Sequence, residues 1–262
     1  MASEELRVAI EAARAAGDLL RRELRQPRRI AFKGTPTNLV TEMDARAESM
    51  IVRMLHGAFP DDAILAEEGG SQGGRSGRRW IIDPLDGTTN YAHGVPVYAV
   101  SIALERDARV ALGVIFDPNQ GELFTAERGG GAFVNEARLA VSATETLDAS
   151  LLATGFPYNV RETSDNNFIQ YTTFSLRSQG VRRMGSAVIY LAYVAAGRLD
   201  GYWELRLGAW DAAAGSLMVE EAGGRVTDIM GAPLDLDAPS IVASNGRIHE
   251  AMLLTLREVA PR

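Results

Sequence analysis

Between Leu6 and Leu24 the apolar residues Leu6, Ile10, Ala13, Leu20 and Leu24 recur at helical spacing among arginines and glutamates, which predicts an amphipathic surface helix ended by Pro27. A second helix is expected to start at Asp44, in the role of N-cap, and to run through Met50, Ile51 and Leu55 to a stop at Gly57. Lys33 to Thr41, between them, reads as a loop leading into an extended segment. After Trp80 the period shortens to that of β-structure. Trp80 to Asp83, Val97 to Glu105, Arg109 to Phe116 and Glu122 to Ala126 are rich in β-branched and aromatic residues and are divided by short turns such as Asp117-Pro118-Asn119, the pattern of an antiparallel meander. From about Ser150 strand-like runs (Ser150 to Thr154, Leu199 to Glu204, Ile241 to Ala243) alternate with helix-like ones (Asn166 to Arg177, Ala187 to Ala196, Ala212 to Ala222), so this half reads as α/β. No repeat or Pro/Ser-rich linker interrupts the chain, and the two halves are expected to pack as one body with a cleft between them.

Composition narrows the chemistry. At 262 residues and 46% hydrophobic content the chain can bury a sizeable core. Its net charge of -7 is spread along the sequence and repels nucleic-acid phosphates, so no nucleic-acid partner is expected. The absence of cysteine excludes disulfides, thiolate zinc sites and a cysteine nucleophile. The N-terminus lacks the apolar core of a signal peptide and no run is long enough to span a bilayer, so the expectation is a cytoplasmic protein with no membrane partner.

The densest chemistry lies in Trp80-Ile-Ile-Asp-Pro-Leu-Asp-Gly-Thr-Thr-Asn90. An apolar strand delivers Asp83, Pro84 interrupts it, and Asp86 opens a turn, so both carboxylates can point at one place, where their repulsion calls for a cation. The amides of Gly87 and Thr88 follow at a helix start, a setting that suits a phosphate. Hard oxygen ligands beside a phosphate cradle favour Mg²⁺. Glu67-Glu68 is a second acidic pair behind an apolar run, and Asp211, after Trp210, heads a helix of small residues. Taken alone, Asp83 or Asp86 is better explained as a strand end or a helix cap and Asp211 equally well as a plain N-cap; a second acidic pair, costly to bury without a cation, weakens that explanation.

Together these segments resemble the inositol monophosphatase family. Its first signature is matched by Trp80 to Pro96 and its second by Trp210 to Gly224; further matches are Lys33 to Asp44, Glu67-Glu68, and Arg182 to Ala187 followed by Tyr202-Trp203-Glu204. The resemblance implies a layered αβαβα sandwich, α+β in its first half (residues 1 to about 149, with the N-terminal helices and the first metal motif) and mixed α/β in the second (150 to 262, with the second motif). It implies hydrolysis of a small phosphorylated metabolite with two or three Mg²⁺ ions, held by Glu67, Asp83, the carbonyl of Leu85, Asp86 and Asp211. Glu67 and Thr88, with Asp44 and Thr41 behind them, would orient the attacking water. Asp86, Gly87, Thr88, Gly185, Ser186, Ala187, Glu204 and Asp211 would contact substrate, and Lys33 and Glu68 would support the ligands. A homodimer and inhibition by lithium are also implied.

The sequence departs from the family pattern at Asn38, where Asp is frequent, and at Tyr91, where Phe is usual; the first removes a charge from the edge of the site and the second reads as trivial. His56, His93 and His249 read as packing or supporting groups, Arg182-Arg183 as a solvated basic pair, Gly69 to Gly77 as a mobile surface loop, and Trp80 and Trp210 as packing that fixes the aspartates after them. An aspartyl-phosphate mechanism is excluded because Pro84 stands where the second aspartate of Asp-x-Asp would be needed. A metal- or partner-binding protein without turnover is disfavoured because every matched position is intact. Among substrates, fructose 1,6-bisphosphate, histidinol phosphate and adenosine 3',5'-bisphosphate remain alternatives to inositol monophosphate, which Glu204 favours as an acceptor for ring hydroxyls.

Overall fold

A computed structural model describes residues 3–26, 29–237 and 240–259. Helix α1 (Glu4–Glu23) begins at Ser3, whose side chain accepts from the Leu6 amide, and ends ahead of Pro27, which lies outside the described residues. The segment read as a loop before the second helix is a hairpin of β1 (Ile30–Phe32) and β2 (Leu39–Thr41). Helix α2 (Glu42–Ala58) is capped by Thr41 rather than Asp44. Asp44 is its third residue and closes a capping box, accepting from the Thr41 amide at 2.8 Å, and Gly57 lies inside the helix.

Next come β3 (Ala63–Ala66), β4 (Gly70–Gln72), β5 (Arg78–Asp86), the short helix α3 (Thr88–Ala92), β6 (Ala99–Arg106), β7 (Arg109–Asp117), β8 (Glu122–Glu127), β9 (Gly131–Val134) and β10 (Ala137–Arg138). Strands β5 to β10 form the expected antiparallel meander, but β3 joins β5 in parallel and β4 pairs with β3, so part of the glycine-rich stretch is a sheet edge and not merely a loop. Side chains alternate across this eight-stranded sheet. Trp80, Ile82, Val100, Ile102 and Leu104 face α1 and α2, while Ile81, Ala99, Ala103, Ile115 and Phe124 face the interior of the molecule.

The remaining elements are β11 (Leu151–Thr154), α4 (Phe168–Arg177), β12 (Gly180–Arg182), α5 (Ala187–Ala195), β13 (Gly201–Glu204), α6 (Ala209–Glu221), β14 (Arg225–Thr227), β15 (Ile241–Ser244) and α7 (His249–Glu258). They build a mixed five-stranded sheet in the order β12-β11-β13-β15-β14. Helices α5 and α6 lie between the two sheets, and Phe174 of α4 and Met252 of α7 join Leu152, Trp203 and Val242 in the outer core. The result is the αβαβα layering. Small residues make the central layer thin: a Cβ on Gly113 of β7 would stand 2.9 Å from the Ala214 backbone of α6, and one on Gly215 would stand 2.4 Å from Leu191. That close approach brings the first residues of α6, Asp211 among them, to the end of β5.

Candidate active site

The site grows out of an irregularity in β5. Asp83 pairs with Ser101 and Asp86 with Ala99, and the register slips between them, where Pro84 supplies no amide to the ladder. Leu85 turns its amide back to Asp83 Oδ1 at 2.9 Å. Gly87 then takes φ +94°, and a Cβ there would meet the Val97 carbonyl at 2.9 Å and that of Gly185 at 3.2 Å, so only glycine passes this point between the two halves.

One oxygen each of Asp83, Asp86 and Asp211 lies within 4.8 Å of the others. Asp86 accepts from the Ser186 hydroxyl and from the Val188 amide at 3.0 Å, which ties the strand end to the start of α5. Asp211 is not the cap of α6, as it would be if it served the helix alone; Gly208 is the cap, and its amide donates to Asp211 Oδ2 at 2.6 Å. No ion pair among the described residues involves these three aspartates. Burial first, and then their neighbouring carboxylates, push Asp83 and Asp211 well above the usual carboxylate range. Asp86 rises to about 6, burial outweighing the Ser186 and Val188 hydrogen bonds. Three convergent hard oxygens with no protein cation between them are a donor set that fits a divalent ion such as Mg²⁺.

Glu67 follows β3 beside this group, its amide donating to Ile82 O at 3.2 Å. Its carboxylate holds Lys33 Nζ at 2.9 Å, and Lys33 also bonds Glu68, whose amide donates to Glu48. Burial raises Glu67 to about 7 despite the ammonium. For Lys33, burial opposes the charge but both glutamates together raise its pKa. Behind the cluster the Thr88 hydroxyl shares its proton between Asp44 Oδ1 (2.9 Å) and Leu85 O (3.0 Å), and the Thr41 hydroxyl donates to Asp44 Oδ2 at 2.7 Å. Asp44 is fully buried, and burial raises its pKa against these bonds.

Asp86 and Asp211 open onto a cleft of about 480 Å³ also lined by Gly87, Thr88, Gly185, Ser186, Ala187 and Glu204, with Asp83 buried behind them. Glu204 ends β13 and accepts from the Tyr202 hydroxyl at 2.6 Å; burial raises it to about 7. A Cβ on Gly155 would fall 2.1 Å from its oxygens, so that glycine makes room for the carboxylate. The cleft is thus acidic at the metal-fitting end and again at Glu204.

Several lining groups have no place in the reading from sequence. Asn90 Nδ2 donates to Val97 O at 2.8 Å and to Met184 O at 2.6 Å, stitching the first motif to the segment before α5. Phe156, Pro157 and Tyr158 cross the mouth of the cleft after β11; a Gly-Phe-Pro break behind a strand was the available signal. Arg183 is exposed yet not simply solvated: its guanidinium lies 4.8 Å from the Phe156 ring centre, at the cleft wall. Tyr91, far from trivial, donates from its hydroxyl to Leu20 O at 2.9 Å and so joins α3 to α1. His249 is a packing group, bonded to Ser244 and Thr227; His93 is exposed at the cleft and His56 is exposed elsewhere. No helix among the described residues is long and apolar enough to cross a membrane.

The same arrangement of layers is found in solved structures. The SuhB protein of Bartonella henselae superimposes with a TM-score of 0.92 at 41% identity, covering 98% of this chain and 100% of that one. An inositol monophosphatase of Anabaena sp. does so with 0.89 at 43%, covering 98% and 96%. In sequence, an inositol-1-monophosphatase of Mesorhizobium japonicum is 44% identical over 97% of this chain and 96% of its own length, and the Nus factor SuhB of Pseudomonas aeruginosa is 44% identical over 98% and 97%. The profile of the inositol monophosphatase family matches residues 1–261, the span that carries both aspartate motifs and the layers that bring them together, and the chain belongs to that family.

Proposed function

We propose that this phosphatase hydrolyses myo-inositol monophosphate to inositol and phosphate by direct attack of water, with Mg²⁺ held by Glu67, Asp83, the Leu85 carbonyl, Asp86 and Asp211. The observation that carries the reading is the group of three aspartate oxygens within 4.8 Å, two of whose residues, Asp86 and Asp211, line a cleft that Glu204 also lines. Bound there, Mg²⁺ supplies charge neutralisation for the phosphate and the leaving oxygen and acidifies water. The chain's own groups do the rest. Glu67 and Thr88 orient the attacking water. Thr88 is fixed for that task by Asp44, itself locked by Thr41, while Lys33 and Glu68 hold Glu67. The Gly87 and Thr88 amides take phosphate oxygens. Asp86 is held by Ser186 and the Val188 amide, so the segment Gly185 to Ala187 that meets the alcohol also positions a ligand. Glu204 accepts from hydroxyls of the polyol, its orientation set by Tyr202.

Attack by water requires no covalent intermediate, and the described site offers neither thiol nor paired histidine for one. Phosphate release measured as kcat/KM on inositol monophosphate, fructose 1,6-bisphosphate, histidinol phosphate and adenosine 3',5'-bisphosphate tests the assignment. Inositol monophosphate is expected to lead; a preference for any of the other three transfers the substrate assignment to it.

A further inference from the structure

The segment after β11 lies over the cleft and is held from two sides. Thr37, in the β1–β2 hairpin, donates its hydroxyl to the carbonyl of Tyr158. From the opposite wall Arg206 reaches Asn159 Oδ1 at 3.4 Å and Asp165 Oδ2 at 3.3 Å. Between these anchors Tyr158 lines the same cleft as Asp86, Thr88 and Asp211. It is 55% exposed, so the ring is open to solvent on the cleft side. Its hydroxyl has no hydrogen-bond partner among the described residues.

A phenol on the wall of the cleft that Asp86 and Asp211 also line, with no hydrogen bond to either, can donate to a ligand held in that cleft. The group that would stand between it and the aspartates is the substrate's phosphate, whose outer oxygens face away from the cluster. From this geometry we infer that Tyr158 is a substrate-binding residue, its hydroxyl donating a hydrogen bond to a non-bridging phosphate oxygen from the cleft mouth, with Thr37 positioning it through its backbone. The inference rests on the cleft being a phosphate site, as proposed above. A neutral donor at that point strengthens as charge gathers on the oxygen and adds no new charge to the acidic pocket.

The test compares wild type, Tyr158→Phe and Thr37→Val by calorimetric titration with inorganic phosphate in saturating Mg²⁺, and by kinetics on inositol monophosphate. Removing the hydroxyl is expected to weaken phosphate binding about tenfold or more and to lower kcat/KM by a similar factor. The magnesium-induced rise in Tm should be unchanged, because Tyr158 is not a ligand to the ion. Thr37→Val should show a smaller loss in the same direction. Unchanged phosphate affinity in Tyr158→Phe, or no phosphate binding by the wild type, overturns the inference. The binding arm needs no turnover: a wild type that holds phosphate and loses that affinity in Tyr158→Phe, yet favours another monoester, supports Tyr158 while refuting the inositol assignment.

Discussion

Two buried aspartates flank strand β5, Asp62 from the turn before β3 and Asp83 within the strand itself, and the two are built in opposite ways. Beside the start of the strand, Asp62 accepts from Arg78 Nε at 2.9 Å, from the Ser76 hydroxyl at 2.6 Å and from Trp80 Nε1 at 3.0 Å. Its charge is met by a cation and its lone pairs are filled. Near the end of the strand Asp83 takes one backbone amide, from Leu85, and otherwise faces the carboxylates of Glu67, Asp86 and Asp211. Both aspartates are buried, at 4% and 1% exposure, so burial of an acid does not distinguish a structural role from a chemical one. What distinguishes them is where the counter-charge comes from: Asp62 has it within the chain, and Asp83 has to receive it from outside.

The largest expected consequence is on activity. Supporting residues around metal sites are commonly worth ten- to a hundredfold, so removing a ligand charge itself, in Asp83→Asn or Asp211→Asn, should lower kcat by at least about a hundredfold. Asp62→Asn should leave kcat within a few-fold of wild type. Equal losses at the two positions, in steady-state assays with matched Mg²⁺, would erase the distinction.

Stability should separate the two in the other direction. Asp62→Ala leaves Arg78 only its pair with Glu5 and strips the Trp80 indole and the Ser76 hydroxyl of their acceptor, and should cost about 2 kcal/mol, roughly 6 °C in Tm for a chain of this size. Asp83→Asn, measured in chelator, should not destabilise, since it replaces a carboxyl whose charged form burial and the neighbouring acids already disfavour. A thermal melt of each variant decides.

The pH dependence of stability is a finer probe. Glu67 at about 7, Asp86 at about 6, and Asp83 and Asp211 well above normal all have folded pKa values above their unfolded ones. The folded metal-free state therefore binds extra protons, and the stability this confers is complete below about pH 4 and lost as pH rises through 6 to 7. His249, held near 4 by burial and then by Arg225, works the opposite way, its contribution lost as pH falls from about 6.5 towards 4. Mg²⁺ acts only on the first group. The gap in Tm between magnesium-loaded and chelated protein should widen from pH 5 to pH 8; a gap independent of pH would mean that the cluster is not what the ion relieves.

The smallest effect is expected at the remaining acid of the cleft wall. Glu204→Gln should raise KM for inositol monophosphate about tenfold while leaving an aryl phosphate within about twofold, because its carboxylate is assigned to hydroxyls and not to phosphorus. Equal losses on both substrates would make Glu204 a support for the fold.

Much of this contrast was legible in the chain itself. Asp83, Asp86 and Asp211 stand in two long motifs, and the apolar alternation around them was enough to place β5 and the meander. The helix start was misplaced, because Thr41 and Asp44 are both good caps and only the reciprocal bonds of the capping box show which residue is first. The parallel pairing of β3 with β5 was hidden, since pairing direction leaves no trace in a four-residue strand. Asp62 could not be recognised either: its partners Ser76, Arg78 and Trp80 lie 14 to 18 residues away and meet it only after β3 and β5 align. For the cleft segment Phe156 to Tyr158 the sequence offers only the Gly-Phe-Pro break after β11, and its place against the hairpin shows only where Thr37 reaches it.

On the proposed reading the carboxylates at the end of β5 repel one another as they ionise above about pH 7, and Mg²⁺ relieves that repulsion. Thermal melts of wild type and Asp86→Asn across a magnesium titration test it most directly. Like charges about 4 Å apart cost on the order of 4 kcal/mol at an effective dielectric of about 20, and an ion at about 100 times its Kd returns roughly 2.7 kcal/mol by mass action. Asp86→Asn should therefore melt higher than wild type in chelator and show a flattened rise with Mg²⁺. A variant that melts lower in chelator and keeps the full magnesium-induced rise would make Asp86 a structural anchor for Ser186 and Val188, and would contradict the claim.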